Sequence, residues 1–274
     1  MRLPALLLRP KNNVHKNDFG HVLVVAGSPA MLGAACLTSL AAMRSGAGLV
    51  TAAVPKGLNL TLQKKISHVV MTWPVPQTRS MAFAFAAAAV ILGRIGKFNV
   101  VAIGPGLSVN PSTTRFVRRM VAACPVPMVV DADALNALAG HTDILLEAKA
   151  PRVLTPHPGE MARLMGVNRG MIESDREGIA RRYARQYRCV VVLKGHRTVV
   201  ASPDGKVYIN TTGNAGMATA GTGDVLPGMI AAFLAQGLSP FEASKSAVYL
   251  HGRAGDRVSR KHPKASMIAL DLIG

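Results

Sequence analysis

Six short apolar runs recur along this chain, at residues 21–26, 49–54, 99–103, 127–131, 152–155 and 188–194. They lack the polar alternation of a half-exposed strand, so each reads as a strand covered on both faces. Between them the apolar residues follow helical spacing, most plainly over 31–45 and 134–139. Strands that alternate with helices predict right-handed βαβ units and a parallel sheet between two helical layers. The turn signal Pro203-Asp204-Gly205 lies between runs 198–202 and 206–210, which predicts a hairpin and an antiparallel sheet edge. Residues 222–236 and 240–258 read as helices, and the 12-residue apolar stretch 81–92 as a buried one. No repeat, linker or low-complexity segment breaks the pattern, so the expectation is one α/β domain over 1–274.

Composition narrows the classes. Aromatic content is 4% against 49% hydrophobic, so the core must be built from Ala, Val, Leu and Met. No apolar run approaches the ~20 residues of a membrane helix. Residues 3–8 are too short for a secretory signal and lack a cleavage pattern, so the expected location is the cytoplasm. Cys36, Cys124 and Cys189 are far apart and flanked by apolar residues, which predicts buried thiols and neither disulfide nor zinc. The net charge of +18 suits an anionic partner. The basic residues are dispersed, with clusters at Arg115, Arg118 and Arg119 and between Arg176 and Arg188. The second cluster has helical spacing and reads as a solvated face. With few aromatics to stack bases, nucleic acid is not an expected partner.

In a parallel sheet ligands gather beyond the carboxyl ends of the strands. Five of the six apolar runs end there in chemistry-bearing residues: Gly27-Ser28, Gly104-Pro105-Gly106, Asp131-Ala132-Asp133, Thr155 through Glu160, and Lys194-Gly195. Gly106 can press its amide on a ligand or simply make a turn. Asp131 and Asp133 can meet magnesium through water, or Asp133 can cap the helix after it. Glu160, three residues after His157, can organise hydrated magnesium or merely meet a helix dipole. Lys194 suits a phosphate contact, and His251 reads as structural. There is neither a GxxxxGK[ST] loop nor a GxGxxG after the first strand. The sharpest segment is residues 214–224, small residues ending in Gly221-Thr222-Gly223-Asp224 before an apolar helix. Free amides at a helix start bind anions. A carboxylate beside bound phosphate can take a proton from a hydroxyl. The same pattern also serves as a plain N-cap.

Taken together, these motifs resemble the NAD(P)H-hydrate dehydratase family. Lys16-Asn17-Asp18-Phe19-Gly20-His21 through Ser28, Met31-Leu32-Gly33-Ala34-Ala35 and Arg44 through Thr51 carry the opening of the match. Ala102 through Leu107, Asp131 through Asn136, Leu154 through Glu160, Val192 through Thr198 and the Gly-rich segment continue it, from about residue 12 to 260. The resemblance implies a ribokinase-like three-layer fold with a central, mostly parallel sheet. It implies dehydration of the S epimer of hydrated NADH or NADPH, by phosphorylation of the ring hydroxyl and loss of phosphate. ADP or ATP is the expected co-substrate, with ADP preferred, and Mg2+ the expected cation.

The resemblance also assigns residues. Asp224 would meet the substrate hydroxyl as the catalytic base. Ala34, Ala35, Gly106 and His157 would touch the hydrated dinucleotide, and Lys194, Gly195, His196, Arg197, Thr198 and Gly223 the nucleotide. The amides of Gly221, Thr222 and Gly223 would form an anion hole, and Glu160 would reach the metal through water. Many members have glycine where Ala220 stands. Many carry an N-terminal epimerase domain, whereas only about 15 residues precede the first motif here, so epimerisation is expected from a separate protein. Members often form tetramers, hence a homo-oligomer is expected. A small-molecule kinase of the same fold, of the thiazole or pyrimidine type, is the nearest alternative. A basic nucleic-acid-binding protein is a remote one.

Overall fold

The structure is a computed structural model that describes residues 3–8 and 13–274. Residue 12, near which the family resemblance starts, lies outside them. In chain order the elements are β1 (His21–Val25), α1 (Leu32–Arg44), β2 (Leu49–Pro55), α2 (Asn59–Lys65), β3 (Met71–Val75), α3 (Ala87–Leu92), β4 (Val100–Ile103) and α4 (Pro111–Ala123). They continue as β5 (Met128–Val130), α5 (Asp133–Leu138), β6 (Arg152–Leu154), α6 (Pro158–Met165), α7 (Arg169–Ser174), α8 (Arg176–Gln186) and β7 (Val190–Leu193). The hairpin β8 (Val199–Ala201) and β9 (Val207–Ile209) follows, then α9 (Thr222–Ala235) and α10 (Pro240–Val258).

The nine strands form one sheet in the order β3-β2-β1-β4-β5-β6-β7-β8-β9. Pairing is parallel through β7 and antiparallel across β7–β8 and β8–β9, as the hairpin signal predicted. Because successive side chains point to opposite faces, each central strand feeds two cores. Leu23, Val25, Val101, Ile103 and Val130 pack beneath α4, α5, α6 and α8 through Phe116, Leu135, Met161 and Tyr183. Val22, Val24, Val100, Ala102 and Val129 pack beneath α1, α2, α9 and α10 through Ala35, Leu62, Ile230 and Ala247. That double burial is why these strands read as unbroken apolar runs, and it makes the fold a three-layer α/β structure.

Two readings are corrected. The stretch 81–92 is not one helix: only Ala87–Leu92 is helical. Met81 has a φ of 55° and Phe83 bridges to Gln77, so the first half turns and pairs. Strand β3 had no clear signal, because Pro74 sits within it. Proline removes a ladder donor and is tolerated here at the sheet edge. Among the described residues no helix is long and apolar enough to cross a membrane. Cys124 and Cys189 are buried, Cys36 is half-buried, and all three are free.

Candidate active site

Strand β1 is hydrogen-bonded to both β2 and β4, so the direction of winding reverses there and a crevice opens beyond the strand ends. Two loops close over that point: the Gly27 amide donates to the Pro105 carbonyl at 2.9 Å, and the Gly104 amide to Val25 at 3.1 Å. Gly106, at φ +63°, lies against α1; a Cβ there would stand 2.7 Å from the Met31 carbonyl and 3.1 Å from the Ala34 Cβ. Ala34 and Gly106 therefore adjoin. Ala35 is fully buried and contributes packing, with no surface to offer a ligand.

The next strand ends form an ionic cluster. Asp131, 1% exposed after β5, accepts a hydrogen bond of 2.7 Å from the Lys194 ammonium after β7. Glu160 Oε2 lies 3.8 Å from the same nitrogen. Burial opposes the Lys194 charge, but Asp131 and Glu160 outweigh it and hold the pKa above the ordinary lysine value. Glu160 is pushed up by burial against the pull of Lys194. It also closes a capping box on α6: its Oε2 accepts from the His157 amide at 2.8 Å, while His157 Nδ1 accepts from Gly159 and Glu160. Burial and the nearby Lys194 lower the His157 pKa, favouring the neutral ring. Asp133 does not cap α5; it accepts from the Ser108 amide at 2.8 Å and ties that helix to the loop after Gly106.

The turn after β7 is fixed by Arg176, which donates to the carbonyls of Leu193 and Lys194 at 3.0 Å each and to that of His196. The solvated-face reading of the 176–188 cluster therefore fails at Arg176. It holds for Arg181 and Arg182, which are exposed and paired with Glu177 and Asp175. Nothing in the spacing distinguished Arg176, because its partners lie 17 to 20 residues away.

The Gly-rich segment enters opposite this turn. Gly221 is the N-cap of α9 at φ +84°, where a Cβ would meet Leu37 at 2.7 Å. Ala220 is exposed and is not among the positive-φ residues, so its methyl group brings no backbone strain. The amides of Gly221 and Gly223 have no partner among the described residues. Thr222 is turned inward: its amide faces the Thr219 carbonyl at 3.5 Å and its hydroxyl donates to Met217 and Thr219. A Cβ on Gly223 would stand 4.0 Å from the Lys194 ammonium, so the open side of this glycine faces that cation. The Thr38 hydroxyl donates to the Asp224 carbonyl at 2.8 Å, pinning the acid to α1. The Asp224 carboxylate takes part in no hydrogen bond or ion pair among the described residues. Burial first, then Asp131, raises its pKa to about 6 against the pull of Lys194. An unspent, partly desolvated carboxylate near neutrality suits a general base.

A cavity of about 630 Å³ opens beside this loop, lined by Lys194, Gly195, His196, Arg197, Thr198, Thr222, Gly223 and His251 among others. All six residues assigned to the nucleotide thus share one cavity, whereas Ala34, Gly106 and His157 lie elsewhere on the rim. A larger cleft of about 1030 Å³ borders α10 and holds none of the strand-end residues.

Comparison with known proteins agrees with this geometry. The family model described as NAD(P)H-hydrate dehydratase matches residues 22–274. A bifunctional NAD(P)H-hydrate repair enzyme of Moorella thermoacetica is 50% identical over 267 residues, covering 97% of this chain and 50% of that protein. The chain thus spans about half the length of its bifunctional relatives. An ADP-dependent (S)-NAD(P)H-hydrate dehydratase of Bacillus subtilis is 37% identical, covering 94% of this chain and 88% of that one. A crystal structure of the ADP/ATP-dependent NAD(P)H-hydrate dehydratase from Bacillus subtilis, co-crystallised with ATP/Mg2+, superposes with a TM-score of 0.82 at 32% identity. It covers 96% of this chain and 89% of that one. A hydroxyethylthiazole kinase from Pyrococcus horikoshii, at 17% identity and a TM-score of 0.62, shares the fold alone. With a family model spanning most of its length and relatives up to 50% identical, this ribokinase-like chain belongs to the NAD(P)H-hydrate dehydratase family.

Proposed function

We propose that this protein dehydrates the S epimer of hydrated NADH or NADPH at the expense of ADP or ATP, restoring the working cofactor. The observation that carries the reading is Asp224: an unpaired carboxylate raised to about 6, at the start of α9 beside the free Gly223 amide. In this mechanism Asp224 accepts the proton of the ring hydroxyl as its oxygen bonds to the terminal phosphorus. The phosphoanhydride bond breaks and the shortened nucleotide leaves. The Gly221 and Gly223 amides and Lys194 face the charge that develops on the transferred group. The C–O bond then breaks, phosphate departs with its electrons, and the neighbouring carbon loses a proton as the double bond re-forms. Ala34, Gly106 and His157 hold the hydrated dinucleotide, and Lys194 through Thr198 with Gly223 hold the nucleotide.

Among the described residues no three acidic, histidine or cysteine groups converge on one point. Two buried carboxylates, Asp131 and Glu160, do reach the Lys194 ammonium on the margin of the cavity. Magnesium commonly keeps its waters and takes one or two carboxylates plus substrate phosphates. These hard oxygen donors fit an ion carried in on the nucleotide, with Glu160 reaching it through water. Bound there, the ion neutralises charge on the phosphates.

ADP preference rests on relatives named as ADP-dependent, at 36% and 37% identity. We further propose a cytoplasmic homotetramer that works together with an epimerase activity, in keeping with relatives named bifunctional. The test is turnover: purified protein with Mg2+ and either nucleotide recovers the absorbance of the reduced ring from hydrated NADH, with light scattering reading the oligomer. No recovery with either nucleotide, together with a stable phosphorylated product from an alcohol-bearing metabolite, would establish the kinase alternative. A light-scattering mass other than four chains would remove the tetramer.

A further inference from the structure

Segment 210–224 has little regular structure of its own, yet it must hold the Gly221 and Gly223 amides still. Between β9 and α9 it contains one 3-10 turn, Ala215–Met217. Its anchors lie on α10. Near the entrance, Asn210 Nδ2 donates to the Val248 carbonyl at 3.4 Å and the Thr212 hydroxyl to that of Tyr249 at 2.9 Å. Asp256 accepts from the Gly213 amide at 3.0 Å and from Asn214 Nδ2 at 3.2 Å. At the exit, His251 Nε2 lies 3.1 Å from the Thr222 carbonyl.

The packing is close enough to exclude side chains. A Cβ on Gly252 would stand 2.2 Å from the Thr212 hydroxyl, and one on Gly255 2.4 Å from Met217 Sδ. Glycine inside a helix costs about 1 kcal/mol relative to alanine. Two of them within one turn-and-a-bit of α10 mark a face built to be approached. His251 has a definite state. Burial lowers its pKa to about 4, so the ring is neutral near neutral pH. A carbonyl only accepts, so Nε2 carries the proton and donates to Thr222. His251 thereby holds the residue just before Gly223 while lining the nucleotide cavity itself.

We propose that α10 is an external brace for the anion-binding segment, with His251 and Asp256 as positioning residues that aim the Gly221 and Gly223 amides. The proposal rests on the reading of that segment as a phosphate cradle. It gives the structural role that the sequence suggested for His251 a consequence for nucleotide binding.

The test compares His251→Leu, His251→Gln and Asp256→Asn with the wild type. Glutamine keeps an N–H donor at about the reach of Nε2, and leucine removes it. Amide hydrogen exchange on the free protein and calorimetric binding of ADP with Mg2+ are read side by side. In His251→Leu the hydrogen-bonded amides within 221–224, those of Thr222 and Asp224, exchange about tenfold faster and ADP affinity falls about tenfold, the scale of one lost hydrogen bond. Exchange in β4 to β6 stays at the wild-type rate. His251→Gln recovers most of both, and Asp256→Asn loosens 212–214. Wild-type exchange at 221–224 in His251→Leu overturns the proposal, as does His251→Gln behaving like leucine or loosening that spreads evenly through the sheet. If His251→Leu does not fold, His251→Gln and Asp256→Asn decide: wild-type exchange at 212–214 in Asp256→Asn overturns the brace. A wild type that binds neither ADP nor ATP removes the nucleotide reading, while the exchange pattern still decides the brace.

Discussion

The role proposed for Asp224 has a cost in stability. Its folded pKa of about 6 lies above the ordinary aspartate value, chiefly through burial and then through Asp131, with Lys194 opposing and Asp133 adding a little. For an acid raised in this way the folded state binds the extra proton, so the penalty is absent below about pH 4 and complete above about pH 6. A shift of this size corresponds to roughly 3 kcal/mol. Asp224→Asn should therefore melt several degrees higher at pH 7.5 and match the wild type near pH 4, as calorimetry would show. The same variant should nearly abolish turnover while nucleotide affinity stays within a few-fold. An unaltered rate would remove Asp224 as the base, and a melting gain that persists unchanged at pH 4 would refute the desolvation account. The wild-type rate should fall on the acid side as pH drops through about 6.

At the level of elements, two glycines of α9 separate what the helix needs from what the ligand needs. Gly228 faces α1, where a Cβ would lie 2.2 Å from the Thr38 carbonyl, backbone that cannot step aside. Gly223 faces the Lys194 ammonium across open space. Gly228→Ala should thus destabilise the fold by about 2 kcal/mol or more, the scale of overpacking. Gly223→Ala should leave the melting temperature unchanged or slightly higher, since alanine favours helix, and still weaken nucleotide binding. If Gly223→Ala binds ADP as the wild type does, the anion space lies elsewhere. The sequence showed Gly223 through its motif, and it showed the central strands because both their faces are buried. It hid β3, whose Pro74 argues against a strand, and the ties of His251 to Thr222 and Lys194 to Asp131, which span 29 and 63 residues. Local spacing carries no record of such pairings.

For the molecule as a whole, the charge of +18 acts over distances no single contact reaches. The hydrated dinucleotide and the nucleotide proposed as ligands are both anions, so the summed field should speed their arrival. Raising salt from about 20 to about 200 mM shortens the screening length severalfold. It should lower kcat/KM several-fold while kcat holds. Salt-independent kcat/KM would mean that the excess charge does not steer these ligands. Legibility at this scale was good for the layers and poor for the two cavities, which are assembled by side chains distant in the chain.

The bond from Thr38 to Asp224 joins residues 186 positions apart, and α9 covers the β1 face that Val22 and Val24 present. During synthesis the ribosome makes β1 and α1 long before α9 exists. Their apolar surface must wait, uncovered, until α9 is made, which exposes the nascent chain to aggregation and makes early chaperone binding valuable. The proposed base and phosphate cradle, contiguous at 221–224, are likewise made only when that wait ends. A fragment that stops before α9 lacks the whole segment proposed to handle phosphate.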